Sequence, residues 1–161
     1  MNASQAASPT LKRRISVIAA AAFSGVAVAV VALAATPAEI QKTRHEGYEA
    51  LGEAFKAVRD NSRGTPDWAA LEKAVKVVQK TSVDQANWFP KGSGPEAGKT
   101  RALPEIWSKP ADFAAAQKAF SDKAPALAAA ITARNADALG KAFKELGGTC
   151  KNCHDSFRAP E

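Results

Sequence analysis

The chain closes on a segment that carries a cysteine pair and a histidine on one apolar stripe, ADALGKAFKELGGTCKNCHDSF over residues 136–157. The stripe consists of Leu139, Phe143, Leu146, Cys150, Cys153, His154 and Phe157. Its residues are three or four positions apart, which is the spacing of one face of an α-helix. The segment is therefore predicted to be the last helix of the chain, with both cysteines on its inward face.

The stretch Cys150-Lys151-Asn152-Cys153-His154 has the C-x-x-C-H spacing of a c-type haem attachment site. In such a site two thiols add to the haem vinyl groups, and the adjacent histidine ligates the iron. Three residues advance a helix by nearly one turn, so both sulfurs face one porphyrin edge. The sequence predicts one covalent haem c, with Cys150 and Cys153 as attachment residues and His154 as the metal ligand.

Three other interpretations of the cysteine pair compete with haem attachment. A thioredoxin-like redox pair would follow a strand in a βαβ unit, and no such pattern precedes Cys150. A zinc site needs four ligands, but His45 is the one other histidine and a third cysteine is lacking. A structural disulfide is compatible with an exported chain but does not account for the histidine after Cys153. The haem interpretation is therefore favoured.

Residues 1–34 are predicted to be a signal peptide, and residues 35–161 the mature domain. Three basic residues at 12–14 precede an uncharged run over 15–35, and Ala32-Leu33-Ala34 is a small-residue cleavage site. The run is also long enough to span a bilayer, so an uncleaved anchor is the alternative. We expect a periplasmic protein that contacts a membrane only if this segment is retained.

The charge of the mature domain argues against a nucleic-acid partner. The whole chain has 22 basic and 16 acidic residues, and loss of residues 1–34 removes three basic residues and no acidic one. The remaining basic residues alternate with acidic ones and form no patch, so they are expected to lie on solvated helix faces.

The first helix is predicted to begin at Thr36, with Pro37 at its first position and Glu39 completing a capping box. Its apolar stripe consists of Ile40, Gly47, Tyr48, Leu51, Phe55 and Val58. The pattern ends at residues 61–64, which are polar or glycine.

Two more helices are predicted between the first and the last. One begins at Thr65-Pro66-Asp67, runs to about Trp88 and has Trp68, Leu71, Val75, Val78 and Val83 as its apolar stripe. An irregular connection over 89–104, with a short helical turn at 104–107, follows it. The next helix carries Phe113, Phe120, Leu127 and Ile131, and Pro125 should kink or break it.

Four amphipathic helices without a strand pattern predict an all-α, antiparallel four-helix bundle with the covalent haem in its core. Gly147 and Gly148 precede Cys150 by one turn. They are expected either to let the porphyrin or a neighbouring helix approach the backbone, or to weaken the helix.

Over residues 37–159 the chain resembles cytochrome c′, the class II c-type cytochromes. The resemblance rests on TRHEGY at 43–48, TRALPEIW at 100–107 and CKNCHDSFR at 150–158. The position of C-x-x-C-H on the last helix distinguishes this class from class I cytochromes c, which carry the motif near the N-terminus.

The resemblance implies a four-helix bundle, often a homodimer through its first two helices, with five-coordinate iron that binds NO or CO. It also implies roles for single residues: Cys150 and Cys153 hold the haem, His154 is the proximal ligand, Arg44 lies near a propionate, Tyr48 is the distal residue over the iron, and Arg158 is the basic residue beside the proximal face. Two residues depart from many members, which have tyrosine at the position of Phe157 and leucine at that of Tyr48.

The sixth coordination position separates two functions. Low-spin relatives ligate it with a methionine from the first helix, but the single methionine here is Met1. On a helical projection Tyr48 lies roughly 50° and His45 roughly 110° from the centre of the apolar stripe, so His45 is predicted to lie outside the core. A protonated tyrosine is a poor iron ligand.

The sequence therefore favours a gas-binding protein with an open iron position, and the alternative is a periplasmic electron-transfer cytochrome with a redox partner protein. No acid–base pair near the iron can be named, so an enzyme is not expected. Helix geometry leaves the direction of the Tyr48 hydroxyl undetermined.

Overall fold

The computed structural model describes residues 35–160. Its helices are α1 (Pro37–Asn61), α2 (Trp68–Asp84), α3 (Glu105–Ser108), α4 (Pro110–Thr132) and α5 (Ala136–Phe157). Single turns of 3-10 helix at Gln85–Asn87 and Pro95–Ala97 lie between α2 and α3. Over 35–160 there is no strand, and one isolated antiparallel bridge joins Ala102 to Arg158. The predicted signal segment over 1–34 lies outside the described residues.

Side-chain caps mark the starts of α1, α2 and α5. The Thr36 hydroxyl accepts a hydrogen bond from the Glu39 backbone N–H at 3.3 Å, and the Glu39 carboxylate accepts from the Thr36 N–H at 2.7 Å. This is the expected capping box. Asp67 caps α2 by accepting from two backbone N–H groups, and Asn135 caps α5 by accepting from the Ala138 N–H.

The four long helices form the predicted four-helix bundle around an aliphatic core. The largest fully buried apolar residues come from all four helices: Val58, Leu71, Val78, Leu127, Ile131, Leu139 and Leu146. Burial of each such side chain stabilises the fold by about 1.5–3 kcal/mol relative to an exposed one. α1 packs on α2, α2 on α4, and α4 on α5. A second cluster of Ile106, Phe113 and Phe157 joins α3, α4 and the end of α5.

Two details of the predicted helices are wrong. Val83 is 70% exposed, whereas Thr81 and Gln85 are buried. A five-residue step from Val78 turns the side chain by about 140° on a helix, which takes Val83 off the stripe. α2 also ends at Asp84, and the 3-10 turn Gln85–Asn87 follows it directly.

The predicted alternative of a break at Pro125 is wrong, because α4 continues through this residue, and the alternative of a kink stays a prediction. Ala124 and Leu127, on either side of the proline, are 1% and 0% exposed. Packing of this face holds the helix together, since tertiary contacts contribute more to a helix in a protein than propensity does.

Packing between the protein's own helices does not require glycine at 147 or 148. A Cβ at Gly147 would lie 3.6 Å from the Phe55 ring, an ordinary contact, and one at Gly148 would meet nothing within 4 Å. α5 continues through both residues, so they do not interrupt it. None of the helices described is long and apolar enough to cross a membrane.

Candidate haem-binding site

A cavity of about 930 Å³ lies between α1 and α5. Cys150, Cys153 and His154 line it from α5, and Tyr48 lines it from α1. Aromatic side chains, Phe89, Phe113 and Phe120 among them, contribute to its walls. The volume is near the top of the range of roughly 300–1,000 Å³ typical of cofactor and ligand sites. The cavity is therefore large and apolar enough for a macrocyclic cofactor.

The two cysteines project into this cavity from successive turns of α5. Both are free thiols and both are half-buried. Cys150 contacts the main core, and Cys153 contacts the cluster of Ile106, Phe113 and Phe157. The C-x-x-C spacing thus places both sulfurs on the inward face, as predicted.

The surroundings of the thiols argue against the competing interpretations. Burial raises the pKa of both Cys150 and Cys153. A reactive redox pair needs the opposite, a thiol whose pKa is lowered by nearby positive charge or a helix N-terminus. In residues 35–160 no group of three or more His, Cys, Asp or Glu side chains could hold a metal ion, which leaves the zinc interpretation without support.

His154 lines the cavity at the end of α5. Partial burial lowers the pKa of its imidazole, and the positive charges of Arg158 and Arg101 lower it further, against an opposing effect of Asp155. The neutral imidazole is the form that ligates a metal. Arg158 is exposed, lines the same cavity and is paired through its backbone with Ala102.

The wall opposite α5 is built on Tyr48. Its ring packs edge-to-face on Trp88 with the centroids 5.0 Å apart, and Phe89 lies 6.2 Å away. Burial raises the pKa of the Tyr48 phenol well above its usual value. The nearby Cys153 thiol raises this pKa further, and the positive charge of Arg44 lowers it. Tyr48 is therefore protonated at physiological pH. Its hydroxyl lies 3.4 Å from the side-chain oxygen of Gln85.

Arg44 is only 5% exposed and ties α1 to the connection after α2. Its guanidinium donates hydrogen bonds to the backbone oxygens of Trp88 and Ser93 and to the hydroxyls of Ser93 and Thr100, at 3.0–3.3 Å. It also stacks over the Phe89 ring, 4.6 Å from the centroid. Arg44 lines the cavity, and its role beside a propionate stays a prediction.

His45 lies outside the core, as the helical projection predicts. Its side chain is 72% exposed, and its Nε2 atom lies 3.2 Å from the Glu49 carboxylate. It therefore reaches the cavity only at the rim.

Sequence reasoning missed two residues near the distal wall. Gln85 falls inside the helix predicted to run to about Trp88 and has no signal of its own, yet it is buried and contacts Tyr48. Trp88 is predicted only as the end of that helix, yet it packs on both Tyr48 and the backbone at Gly47. A glycine inside α1, three residues after Arg44, was the available signal, because such glycines often mark a close approach.

These residues fit a covalently bound haem. Two thiols lie on one helix face beside a large apolar cavity, and a histidine with lowered pKa follows the second thiol. An all-α bundle with this C-terminal motif defines the helix-bundle class of c-type cytochromes.

The chain belongs to the cytochrome c′ family, whose family model, described as Cytochrome C′, matches residues 39–158. Cytochrome c′ from Pararhodospirillum photometricum is 35% identical over 125 residues, which cover 77% of this chain and 99% of that protein. The family assignment confirms the resemblance seen in the sequence.

Two solved structures show the same fold. A cytochrome c′ with an unusual ligand-controlled dimer dissociation has a TM-score of 0.73 at 28% identity, covering 80% of this chain and 100% of that one. The nitric oxide complex of a point mutant of cytochrome c prime from Alcaligenes xylosoxidans has a TM-score of 0.69 at 30% identity, covering 80% and 100%.

Proposed function

We propose that this protein binds small gaseous ligands such as NO or CO at a five-coordinate haem iron. The observation that carries the proposal is the composition of the cavity wall opposite His154. In the described part of the chain this wall presents the protonated phenol of Tyr48, while the imidazole of His45 is turned to solvent beside Glu49. The single methionine, Met1, lies outside residues 35–160.

The residues of α5 would hold the haem. Cys150 and Cys153 would each form a thioether bond, and His154 would ligate the iron from the side of α5. The bound haem supplies an iron whose remaining position accepts NO or CO. Arg158 lies close enough to His154 to act on it electrostatically, which supports its place beside the proximal face. The nitric oxide complex of the Alcaligenes protein supports NO as a ligand class.

The same proposal includes a periplasmic homodimer. The predicted signal segment supports export, and a structural relative known for ligand-controlled dimer dissociation supports the dimer. Sedimentation of the exported protein should give twice the mass of one haem-loaded chain. Sedimentation at the mass of one chain over the micromolar range would rule out the dimer and leave the gas site untouched.

Spectroscopy of the protein made in an exporting, haem-maturing host tests the haem site. Intact mass should increase by one haem, and acid-acetone should not extract it. Ferric and ferrous absorption spectra should both be high-spin, and CO should change the ferrous spectrum. His154→Ala should keep the haem attached and lose the native ferric spectrum, because attachment uses the sulfurs and ligation uses the imidazole.

His45→Ala is the matched control, since it removes a histidine from the outer side of α1. It should leave both spectra unchanged. A low-spin spectrum that became high-spin only in His45→Ala would establish two histidine ligands. The protein would then be assigned to electron transfer.

A further inference from the structure

A buried polar cluster lies at the distal wall, between the end of α2 and the middle of α4, and its Gln85 and Gln117 line the cavity. Gln85 is 5% exposed at its centre. Its side-chain amide donates to the Gln117 backbone oxygen at 3.2 Å and to the Ser121 hydroxyl at 3.4 Å. The Gln117 amide returns a hydrogen bond to the Gln85 backbone oxygen at 2.8 Å. Gln85 and Gln117 are therefore joined by a side-chain to backbone hydrogen bond in each direction.

This cluster determines the orientation of the Gln85 amide. The Gln117 backbone oxygen can only accept, so the nitrogen of the Gln85 amide must face α4. The Gln85 side-chain oxygen is then left to face α1, where it lies 3.4 Å from the Tyr48 hydroxyl. The reverse orientation would bring two acceptors together.

The Tyr48 hydroxyl thus points at an acceptor that the protein itself holds. A separation of 3.4 Å is long for an O–H···O bond, so the contact directs the hydroxyl and adds little stability. Trp88 and Phe89 restrict the ring itself. A phenol has one proton to donate, and here Gln85 receives it.

The direction of this proton matters for the choice of gas. Hydrogen-bond donors beside a haem iron favour dioxygen, which carries more negative charge when bound than CO or NO does. The Tyr48 hydroxyl is directed to Gln85, and the Gln85 amide nitrogen is directed to α4. At this point of the distal wall both donors, the Tyr48 hydroxyl and the Gln85 amide, are therefore directed to acceptors of the protein.

We propose that Gln85 is a specificity-determining positioning residue that holds the Tyr48 hydroxyl away from the gas site and so disfavours dioxygen relative to CO and NO. The inference rests on the proposed gas-binding function, because Tyr48 must border the bound gas. Gln85 acts only through Tyr48.

The test compares Gln85→Leu with the control Ser121→Ala, each in the haem-loaded protein. Gln85→Leu removes the acceptor of the Tyr48 proton, whereas Ser121→Ala removes a hydroxyl of the same cluster that neither contacts Tyr48 nor lines the cavity, and it leaves the Gln117 backbone oxygen to orient the Gln85 amide. In the ferrous CO complex, Gln85→Leu should lower the C–O stretching frequency, because the released hydroxyl can donate to CO. Dioxygen affinity should rise about two- to threefold, because the contact with Gln85 that competes for the Tyr48 proton is long and therefore weak. The control should change neither.

Tyr48→Phe in the Gln85→Leu background should abolish both effects, which a merely structural role of Gln85 would not predict. Equal C–O frequencies in Gln85→Leu and the parent would overturn the inference. A lowered C–O frequency that persists in the double variant Tyr48→Phe with Gln85→Leu would also overturn the inference.

A second measurement needs no gas. Tyr48 is the single tyrosine of the chain, so ultraviolet resonance Raman bands of tyrosine report its hydroxyl alone. The parent should show a donating hydroxyl, and bands of a non-donating one would overturn the inference even if Gln85→Leu does not fold. If the parent binds no CO but shows the donating hydroxyl, the proposed function fails while the contact stands.

Discussion

Gly47 determines how the distal wall is held in place. A Cβ at this position would lie 2.6 Å from the Cζ2 atom of Trp88, closer than real Cβ contacts come. The indole therefore lies directly on the backbone of α1, and from there it contacts the Tyr48 ring. Glycine inside a helix is less stable than alanine by about 1 kcal/mol, but at Gly47 the absence of a side chain leaves room for the indole that supports Tyr48.

Gly47→Ala is expected to lower the free energy of unfolding by about 1–2 kcal/mol, because displacement of Trp88 outweighs the gain in helix propensity. Urea unfolding followed by far-UV circular dichroism measures this. Gly140→Ala on α5 is the control, since a Cβ there meets nothing within 4 Å. It should raise the free energy by about 0.5–1 kcal/mol. Stabilisation by both substitutions would show that Trp88 does not depend on Gly47.

At the scale of elements, the turn between α4 and α5 is a Schellman motif built without glycine. The Asn135 N–H donates to the Ala130 oxygen and the Arg134 N–H to the Ile131 oxygen, both at 3.0 Å. Arg134 has φ of 48°, the left-handed region that favours glycine. Asn135 then caps α5, so one short turn reverses the chain and aligns α5 against α4.

Arg134→Gly is expected to stabilise the protein by about 0.5–1 kcal/mol. Relief of the left-handed strain exceeds the extra entropy of glycine in the unfolded chain. Arg134→Ala keeps the strain and removes only an exposed side chain, 3.9 Å from Glu72, so it should change the stability by less than about 0.5 kcal/mol. Thermal unfolding of both variants separates the two effects, and equal midpoints would contradict the strain argument.

At the scale of the whole molecule, the cavity lies where α1 and α5 are held apart. Phe55 of α1 and Phe143 of α5 pack with their ring centroids 4.9 Å apart. Beyond this pair, aromatic walls and the two thiols border a space of about 930 Å³. Much of the apolar surface of the bundle is therefore complete only when the cavity is filled.

Replacing both Cys150 and Cys153 with alanine should leave little folded protein, because the haem would no longer be anchored in this space. The yield in the periplasmic fraction and the near-UV circular dichroism of the product measure the amount of folded protein. Lys144→Ala with Lys151→Ala, two exposed positions on the same helix, is the control and should fold normally. If the double cysteine variant unfolds at the same temperature as the parent, the haem is not central to this core.

Much of the fold was predictable because its signals are local. The capping box of Thr36 and Glu39 and the spacing of the apolar residues each depend on neighbours within one or two turns. The same is true of the helix face shared by Cys150 and Cys153, and of the position of His45 off the core. Val83 lies off the stripe for a local reason, its five-residue step from Val78, whereas the continuity of α4 through Pro125 depends on packing between helices.

By itself, the sequence determined the all-α class, the cytochrome c′ family and the haem-attachment motif on the last helix, since all three are properties of short stretches of chain. The tertiary structure alone decided what surrounds Tyr48. Trp88 and Gln85 lie 40 and 37 positions along the chain from it, and their contacts exist only after α2 packs beside α1. The direction of the Tyr48 hydroxyl depends on a carbonyl of α4 acting through the Gln85 amide, and no local pattern encodes such a three-element contact.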